Sequence, residues 1–363
     1  MKVEKLGEIS RVRTGKYDAN HGTIDGDYKF YTCAFEQFKS PTFSFEGEAI
    51  VLPGNGANVG EVFYNEGEKF EAYQRTYVID EIKAYTKYVY YFFKINWKKH
   101  LFNNQYGSAT NYIRLNNITD FKIPLPPLEE QKKIAEVLSK AEALIAGRKQ
   151  SIQLLDEYLK STFLEMFGDP VKNEKGWEKV KFGLITKNEN SKRIPVKQAD
   201  RDKREGEYPY YGATGIIDTI DDYKFDGTYL LIAEDGKNLL FRKRNNAFMA
   251  YGKFWVNNHA HVLSFNGKAE LRYLEFFLNS IDFGPYISGI DQIKLNRESL
   301  DRIPVPLAPI SLQTQFAQIV EKTEALKAQY KSHLQELEQL YGALSQRAFR
   351  GRQMPSGHLS EHV

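Results

Sequence analysis

Two long stretches of the chain carry apolar residues in alternating steps of four and three, the pattern of a helix that packs along one seam. In the first stretch the seam consists of Ile134, Leu138, Ala141, Ile145, Arg148, Ile152, Leu155, Leu159, Thr162 and Met166. In the second it consists of Phe316, Val320, Thr323, Lys327, Tyr330, Leu334, Leu337, Tyr341, Leu344 and Ala348. The first helix is predicted to begin after Pro127 and to stop at Gly168, and the second to end at Gly351.

Polar residues interrupt both seams, as at Arg148, Thr323 and Lys327. A helix of roughly 55 Å, at about 1.5 Å per residue, with such a seam is not expected to be stable alone in water. We therefore predict that the two helices pair antiparallel and space two domains apart. The alternative is that each helix packs only on its own domain, as most amphipathic helices do.

The segments that precede the two helices are rich in aromatic residues and punctuated by glycine and asparagine. The chain has 23 tyrosines and 24 phenylalanines among 363 residues. Aromatic segments bounded by such turn residues favour β-strands over helices. Each helix is therefore expected to follow a β-rich domain.

The two halves of the chain repeat each other at a nearly constant displacement. At 180 positions, the matches are Tyr28–Tyr31 with Tyr208–Tyr211, Phe45–Gly47 with Phe225–Gly227, Gly56 with Gly236, Ile113–Asn116 with Ile293–Asn296, and Ile123, Pro124 and Pro126 with Ile303, Pro304 and Pro306. From Leu125 onward, other matches lie 182 positions apart, including Gln131 with Gln313. A displacement sustained over so many residues indicates an internal duplication.

The expected fold class is α+β, with two pseudo-repeated β-rich domains separated by two long antiparallel helices. The predicted divisions are a first β-rich domain at 1–124, a joint and helix at 125–170, a second β-rich domain at 171–302, a joint and helix at 303–352, and a flexible tail at 353–363.

Charge and cysteine content narrow the functional class. Lysine and arginine number 50 against 47 aspartates and glutamates, so a net charge of +3 cannot by itself attract polyanions, and any basic surface must be local. The single cysteine, Cys33, excludes an internal disulfide framework and suits a reducing compartment. The sequence shows neither a signal peptide nor an apolar run of about 18 residues, so we expect a cytoplasmic protein without a membrane partner.

The sequence lacks the common catalytic motifs. It has neither a phosphate-binding P-loop nor a dinucleotide fingerprint. A nuclease-type cluster of Asp222, Asp235 and Lys237 around Mg²⁺ is one alternative, and a metal site at His259 and His261 is another. We predict instead that the chain has no catalytic residue and no metal.

Basic residues mixed with amides in loops indicate DNA binding. Between Val171 and Arg204 there are 11 lysines and arginines against 5 acidic residues. The predicted phosphate contacts are Arg11, Arg13, Lys16, Lys192, Arg193, Lys197, Arg201, Lys203, Arg204, Arg242, Lys243 and Arg244. The predicted base contacts are Asn55, Asn58, Asn111, Arg114, Lys237, Asn257 and Asn258.

These features resemble the specificity subunits of type I restriction-modification systems. The resemblance covers nearly the whole chain and rests on the motifs at Lys5–Ser10, Ile123–Ala135, Phe167–Pro170, Tyr208–Ile217 and Ile303–Ile310. It implies a non-catalytic subunit whose two target-recognition domains each read one half of a split sequence in double-stranded DNA. A spacer of roughly 55 Å against about 34 Å per turn of DNA would place the half-sites about one and a half turns apart.

The resemblance also implies partners. These are two methyltransferase subunits, which use S-adenosylmethionine to modify adenine N6, and, in complexes that restrict DNA, translocase-nuclease subunits. S-adenosylmethionine is expected on the methyltransferase, and no cofactor on this chain. The residues predicted to dock the partner are Pro124, Pro126, Pro127, Leu128, Gln131, Pro304, Pro306, Pro309 and Gln313. A protein-binding scaffold without DNA affinity is the remaining alternative.

Overall fold

The structure, a computed structural model, describes residues 2–102, 112–289 and 292–349. The strands are β1 (Lys2–Lys5), β2 (Arg11–Thr14), β3 (Tyr28–Tyr31), β4 (Phe38–Ser40), β5 (Phe45–Pro53), β6 (Phe63–Ala72), β7 (Thr76–Asp80), β8 (Lys122–Leu125), β9 (Lys179–Lys181), β10 (Lys187–Asn188), β11 (Tyr208–Gly212), β12 (Gly215–Ile220), β13 (Phe225–Ala233), β14 (Ala247–Val256), β15 (Ala260–Ser264) and β16 (Pro304–Pro306). The α-helices are α1 (Leu6–Ile9), α2 (Thr86–Phe102), α3 (Leu115–Thr119), α4 (Leu128–Phe167), α5 (Gln198–Arg201), α6 (Asn238–Phe241), α7 (Leu271–Ser280), α8 (Arg297–Asp301) and α9 (Ile310–Phe349). Short 3₁₀ turns lie at Ala19–His21, Phe182–Leu184, Asn190–Lys192 and Gly284–Tyr286.

The chain divides into two compact units. The first consists of Met1–Arg148 with His333–Val363, and the second of Lys149–Ser332. Each unit therefore contains one β-rich domain and one half of each long helix, α4 and α9. The predicted ranges 1–124 and 171–302 fall within the first and second unit respectively, while the predicted tail at 353–363 lies outside the described residues.

Each β-rich domain is built on a six-stranded sheet of the same topology. The strand order is β2-β7-β5-β6-β3-β4 in the first domain and β10-β15-β13-β14-β11-β12 in the second. In both sheets a single parallel pair interrupts antiparallel neighbours, at Phe30 beside Glu71 and at Tyr210 beside Trp255. A two-stranded ribbon accompanies each sheet, β1 with β8 and β9 with β16. Identical order and strand directions confirm the duplication and the α+β class.

The register of the repeat differs from the prediction beyond residue 56. The amide of Ile113 donates to the carbonyl of Gly54, and the amide of Leu295 donates to the carbonyl of Glu234. Ile113 therefore corresponds to Leu295, two residues beyond the predicted Ile293.

The same correction applies to the proline joint. Val3 pairs with Pro124 in the first ribbon, and the equivalent residue Lys179 pairs with Pro306 in the second. The hydroxyl of Tyr88 donates to the carbonyl of Pro124, as that of Tyr273 does to the carbonyl of Pro306. Pro124 thus corresponds to Pro306, and the predicted match of Pro124 with Pro304 is wrong. The predicted match relied on the identical letters of two short proline motifs. The observed match follows the backbone hydrogen bonds of the strands, which shift it by two residues.

The long helices agree with the prediction. Both α4 and α9 have 40 residues, about 60 Å at 1.5 Å per residue. Every predicted seam position is buried or half-buried. The first helix ends where Gly168 takes a φ of +78°, the left-handed conformation that commonly terminates a helix.

In the second unit, the end of α4 packs against the start of α9 and against α7 of the β-rich domain. The ring of Phe163 lies 5.4 Å from that of Phe316 on α9 and 5.7 Å from that of Tyr273 on α7. Further along the pair, Lys327 of α9 forms an ion pair with Asp156 of α4. Because residue numbers fall along one helix as they rise along the other, the pairing is antiparallel.

In the first unit, the start of α4 packs beside the end of α9. The hydroxyl of Tyr341 on α9 donates to Glu142 on α4 at 2.7 Å. The same carboxylate accepts from Tyr91 at 3.2 Å and from Lys94 at 2.7 Å, both on α2. Both halves of α4 thus contact a β-rich domain and a half of α9. The alternative in which each helix packs only on its own domain is wrong.

Removing the ring of Phe163 should destabilise the second unit. Phe163 is 1% exposed and packs against two other helices, α7 and α9, so Phe163→Ala is expected to cost about 3–5 kcal/mol through the cavity it leaves. The measurement is urea unfolding followed by tryptophan fluorescence. Leu164→Ala is the matched control, since Leu164 is 50% exposed on the same helix and should change stability by no more than about 0.5 kcal/mol. Equal effects of the two substitutions would contradict this packing.

Candidate nucleic-acid interface

In the second domain, three separate segments meet beside the end of β13. The amide of Glu234 donates to the carbonyl of His259 at 2.9 Å, and the amide of Leu295 donates to the carbonyl of Glu234 at 2.8 Å. Asp235 forms an isolated β-bridge with Lys294. We call Glu234, Asp235, His259 and Lys294 the second turn cluster.

The first domain builds the same arrangement with different side chains. The amide of Gly54 donates to the carbonyl of Arg75 at 2.9 Å, and that of Ile113 donates to the carbonyl of Gly54 at 3.0 Å. Asn55 bridges to Tyr112. We call Gly54, Asn55, Arg75 and Tyr112 the first turn cluster. Its backbone hydrogen bonds match those of the second cluster position by position.

A glycine in a left-handed conformation shapes the turn in both clusters. Gly56 has a φ of +87° and Gly236 a φ of +106°, a region that residues with a side chain rarely adopt. Among the described residues, no atom lies within 4 Å of the position a Cβ would take at either glycine. Backbone conformation, and not steric crowding, therefore requires glycine at both positions.

Glu234 is the electrostatic centre of the second turn cluster. Its carboxylate lies 2.7 Å from Arg193 Nη1 and 3.3 Å from Lys294 Nζ. Burial alone raises the pKa of this carboxyl group, but the hydrogen bond and charge of Arg193, with His261 and Lys294, lower the pKa further than burial raises it. Glu234 therefore stays ionised and fixes the two basic residues around it.

The two histidines of β15 and its preceding turn lie in different surroundings. His261 is 1% exposed, with its ring nitrogens 2.9 Å from Asn190 Nδ2 and 2.8 Å from the carbonyl of Leu295. Burial lowers the pKa of His261, so it stays neutral. The His259 side chain is about half exposed, and its Nδ1 lies 2.7 Å from Asp235. The alternative of a shared metal site is not supported, because both nitrogens of His261 already have partners.

The nuclease-type cluster is not assembled around a metal either. Asp222 forms an ion pair with Lys224 at 2.8 Å, whereas Asp235 pairs with His259. Within residues 2–102, 112–289 and 292–349, no group of three or more histidine, cysteine or acidic side chains could hold a metal ion. In the same ranges, none of the helices has both the length and the apolar composition needed to cross a membrane.

The family model described as the type I restriction modification DNA specificity domain matches residues 1–156 and 174–339. The chain belongs to this family. Its matching relatives are specificity subunits, a non-catalytic role that agrees with the predicted lack of a catalytic site.

Individual relatives cover the chain to different extents. The EcoDI specificity subunit of Escherichia coli is 26% identical over 96% of this chain and 88% of that protein. A Haemophilus influenzae protein named for the same kind of subunit is 38% identical over 39% of this chain but only 35% of its own length. The crystal structure of the S subunit from M. genitalium is 16% identical and superimposes with a TM-score of 0.70 over 98% of this chain and 96% of that one, so it shares the fold.

For a DNA specificity domain, the predicted basic residues fall into two groups. The first group already has partners within the protein. Carboxylates pair with Arg11, Arg13, Lys192, Arg193, Arg201 and Arg204, and the Arg242 guanidinium donates to the carbonyl of Asn279. Arg201 is 8% exposed and stacks over Tyr210, so its role is structural, and the prediction that it contacts DNA is not supported. The basic stretch before Arg204 is thus largely neutralised locally.

The second group is exposed and forms no ion pair among the described residues. It consists of Lys16, Lys197, Lys203, Lys237, Lys243 and Arg244. An uncompensated charge contributes more to phosphate binding than one already paired, because no internal partner has to be displaced. Lys243 and Arg244 are neighbours in one loop, which Asn238 holds by accepting from the Arg244 amide at 3.0 Å. These two form the strongest local basic patch among the predicted residues.

The predicted base-reading residues are also divided. Asn55 and Lys237 lie in the turns of the two clusters, and Asn258 is exposed beside the second. Asn58 donates to the carbonyl of Cys33 at 2.8 Å. Asn257 is 6% exposed and accepts from the amide of His259, so its side chain shapes this turn, and a base contact by Asn257 is not supported.

The last two residues predicted to contact bases are Arg114 and Asn111. Arg114 precedes α3 as its N-cap, where its amide donates to Asn117. Asn111 lies outside the described residues.

The turn clusters also include Arg75, His259 and Lys294, which the sequence pattern does not indicate as DNA contacts. The sequence indicates His259 only as an alternative metal ligand. The available signal was the register of the duplication, since Arg75 and His259 follow equivalent strands, β6 and β14, by three residues. That register shifts between the halves, so it became clear only from the hydrogen bonds.

The predicted partner-docking residues divide by exposure. Gln131 is 5% exposed, accepts from the amide of Tyr85 and donates to the carbonyl of Pro126. Gln313 is fully buried and makes the equivalent bonds to Glu270 and Ala308. Both amides lock a long helix onto its own domain, so a direct contact of Gln131 or Gln313 with a partner is not supported.

The prolines of the joints follow the same division. The buried ones are Pro124, Pro126 and Pro306, and the exposed residues of the set are Pro127, Leu128, Pro304 and Pro309. Only the exposed residues remain candidates for docking.

Loss of the Lys243 and Arg244 charges should weaken the salt dependence of DNA binding. With both changed to alanine, the slope of log K against log salt is expected to fall by up to about 2, since each phosphate contact contributes about 0.9. Fluorescence anisotropy of labelled duplex, titrated at several salt concentrations with the assembled complex, measures this slope. The double variant Arg297→Ala and Arg302→Ala is the control, because it removes the same charge from residues already paired on α8. An equal fall in slope for both variants would show a general charge effect and no local contact.

Proposed function

We propose that this chain gives a type I restriction-modification complex its DNA specificity by reading a bipartite target, one half-site with each β-rich domain. The observation that carries the proposal is the repetition of one scaffold with different side chains. The first turn cluster presents Asn55, Arg75 and Tyr112, whereas the second presents Asp235, His259 and Lys294 at matching positions. Amide, guanidinium, carboxylate and ammonium groups recognise different base edges, so two such clusters suit two different half-sites.

The chemistry of modification belongs to partner subunits in this proposal. We infer that two methyltransferase subunits bind this chain, use S-adenosylmethionine and modify adenine N6, and that translocase-nuclease subunits join where restriction occurs. A structure whose title concerns complex assembly and conformational transition of the type I R-M system is 14% identical and superimposes with a TM-score of 0.53. Its fold likeness supports an assembled role. Cytoplasmic localisation is part of the same proposal.

The exposed apolar surface of the long helices supports docking of partners. In the first unit, a groove of about 280 Å³ between α4 and α9 is lined by the apolar residues Ile134, Val137, Leu138, Leu344 and Ala348 together with the charged residues Glu130, Lys133 and Arg347. Leu144, one turn beyond this groove, is 60% exposed, and Leu340 on α9 is 52% exposed. In the second unit, Leu154 and Tyr158 are at least half exposed on α4. An apolar face of this kind on paired helices fits the amphipathic helix of another subunit.

Shortening both long helices should shorten the unread spacer of the DNA target. Deleting 145–151 and 330–336 removes two helical turns from the middle of each helix while keeping the seven-residue period of the seams. About 10.5 Å of helix is lost, so the methylated motif should lose about three base pairs of spacer. Sequencing of methylated adenines in cells that express the chain with its methyltransferase measures the motif.

The full-length chain and a strain without the gene are the controls for this experiment. The split motif should disappear when the gene is absent. Methylation of an unchanged motif by the shortened chain would contradict the spacing role of the helices.

Charge placed on the apolar groove should prevent docking without unfolding the chain. Val137 is 47% exposed, so Val137→Glu with Leu144→Glu should reduce co-purification of the methyltransferase at least about tenfold, because burying an unpaired carboxylate is costly. Lys132→Glu is the control, since Lys132 is exposed on the same helix beside Glu129 but does not line the groove. Circular dichroism checks that each variant stays folded. Normal co-purification of the double variant would exclude this groove as the docking surface.

A further inference from the structure

We infer that Arg75 and His259 are matched phosphate anchors, each binding the DNA backbone of the half-site read by its own domain. This inference rests on the proposed bipartite reading and adds to it two named contacts. Neither residue belongs to the basic clusters of the sequence.

The two residues occupy the same position in the duplicated scaffold. The carbonyl of Arg75 accepts from Gly54 and the carbonyl of His259 accepts from Glu234, each at 2.9 Å. Arg75 lies directly before strand β7, and His259 lies directly before the equivalent strand β15. Each residue is therefore fixed by its backbone while its side chain is exposed.

Both side chains are suited to hold an anion. Arg75 is exposed and its guanidinium forms no ion pair among the described residues. The guanidinium fork matches the geometry of a phosphate. The imidazole of His259 is about half exposed and has Asp235 at 2.7 Å from Nδ1, which leaves Nε2 without a partner in the described ranges. The carboxylate of Asp235 orients the ring, and in the protonated imidazole, where Nδ1–H donates to Asp235, the Nε2–H group is left to donate to a phosphate oxygen.

The shared position argues for the backbone as the ligand. Two domains that read different sequences have one chemical feature of DNA in common, the phosphate chain. A cation-capable side chain occurs at this position in both domains, whereas the neighbouring pairs differ in charge, with Asn55 against Asp235 and Tyr112 against Lys294. The position that keeps its chemistry is the one that fits the constant part of the ligand.

Other roles explain these residues less well. His261, two residues further on, is buried with both ring nitrogens bonded, which is the arrangement of a structural histidine. His259 has one bond and an exposed ring. Within the described part of the chain, no cluster that could hold a metal includes either residue.

The test is a scan of single neutral phosphates. Duplexes carrying the target receive one methylphosphonate at a time, and their affinity for the assembled complex is measured by anisotropy. For the unaltered chain, one phosphate in each half-site should weaken binding about tenfold when neutralised, the size of one charge-assisted hydrogen bond. In Arg75→Ala the effect at the phosphate of one half-site should vanish, and in His259→Ala the effect at the corresponding phosphate of the other.

Exchange variants separate anchoring from a structural role. Because the scaffold positions match, His259→Arg and Arg75→His should each keep the sensitivity to the same phosphate. A histidine that served only the fold would not tolerate arginine in this way. The control substitutions are Arg302→Ala, at an exposed residue directly after α8, and His333→Ala, on α9, which should leave every phosphate effect unchanged.

The outcomes distinguish this inference from the proposed function. If the unaltered complex shows no preference for a split sequence, the proposed function itself fails. The complex can show that preference while Arg75→Ala and a neutral phosphate each weaken binding by the same factor whether or not the other change is present. The residue and the phosphate then act independently, and only the phosphate anchors are overturned. Loss of discrimination at one base pair with no phosphate coupling would likewise overturn the anchors, since the residues would then read bases.

Discussion

The fold depends on burying the apolar seams of two 40-residue helices, because neither helix is stable with its seam exposed to water. Their seams include Arg148, Thr323 and Lys327, so apolar contact between the helices alone is incomplete. The β-rich domains supply the remainder. In the second unit, aromatic rings of α4, α7 and α9 meet around Phe163, while in the first unit Glu142 joins α2, α4 and α9 through hydrogen bonds. Each helix half is thus stabilised by a domain and by its antiparallel partner together.

A buried glutamine at the start of each long helix fixes the direction in which that helix leaves its domain. Gln131 and Gln313 are buried, and each joins the first turn of its helix to a backbone amide of the domain and a carbonyl of the joint. A buried side-chain amide that satisfies both groups is costly to replace, because an apolar residue would leave the backbone partners unpaired. Residues that resembled a docking surface in the sequence therefore serve the internal geometry that any docking surface requires.

The candidate interface follows from the same duplication. The two turn clusters have the same backbone hydrogen bonds but carry different side chains. The backbone scaffold is therefore constant, and only the side chains that it presents differ between the two domains. The charges that remain available for DNA are fewer than composition suggests, because ion pairs with nearby carboxylates involve most of the basic residues between Lys192 and Arg204. In the proposed function, specificity depends on a small number of placed groups and not on a general positive field, which agrees with a net charge of only +3.

The sequence by itself determined the two helices, their seams, the β-rich domains and the duplication, because periodicity, glycine and proline act locally and leave a direct trace in the chain. It determined much less of the site. The burial of Arg201, Asn257, Gln131 and Gln313 was not predictable from the sequence, because burial and pairing depend on residues distant in sequence, such as Asp218 and Glu270. Arg75 and His259 became equivalent only through hydrogen bonds between segments, since insertions shift their numbering relative to the repeat. Tertiary structure decides which side chains remain exposed and unpaired, and the function of this surface depends on those side chains.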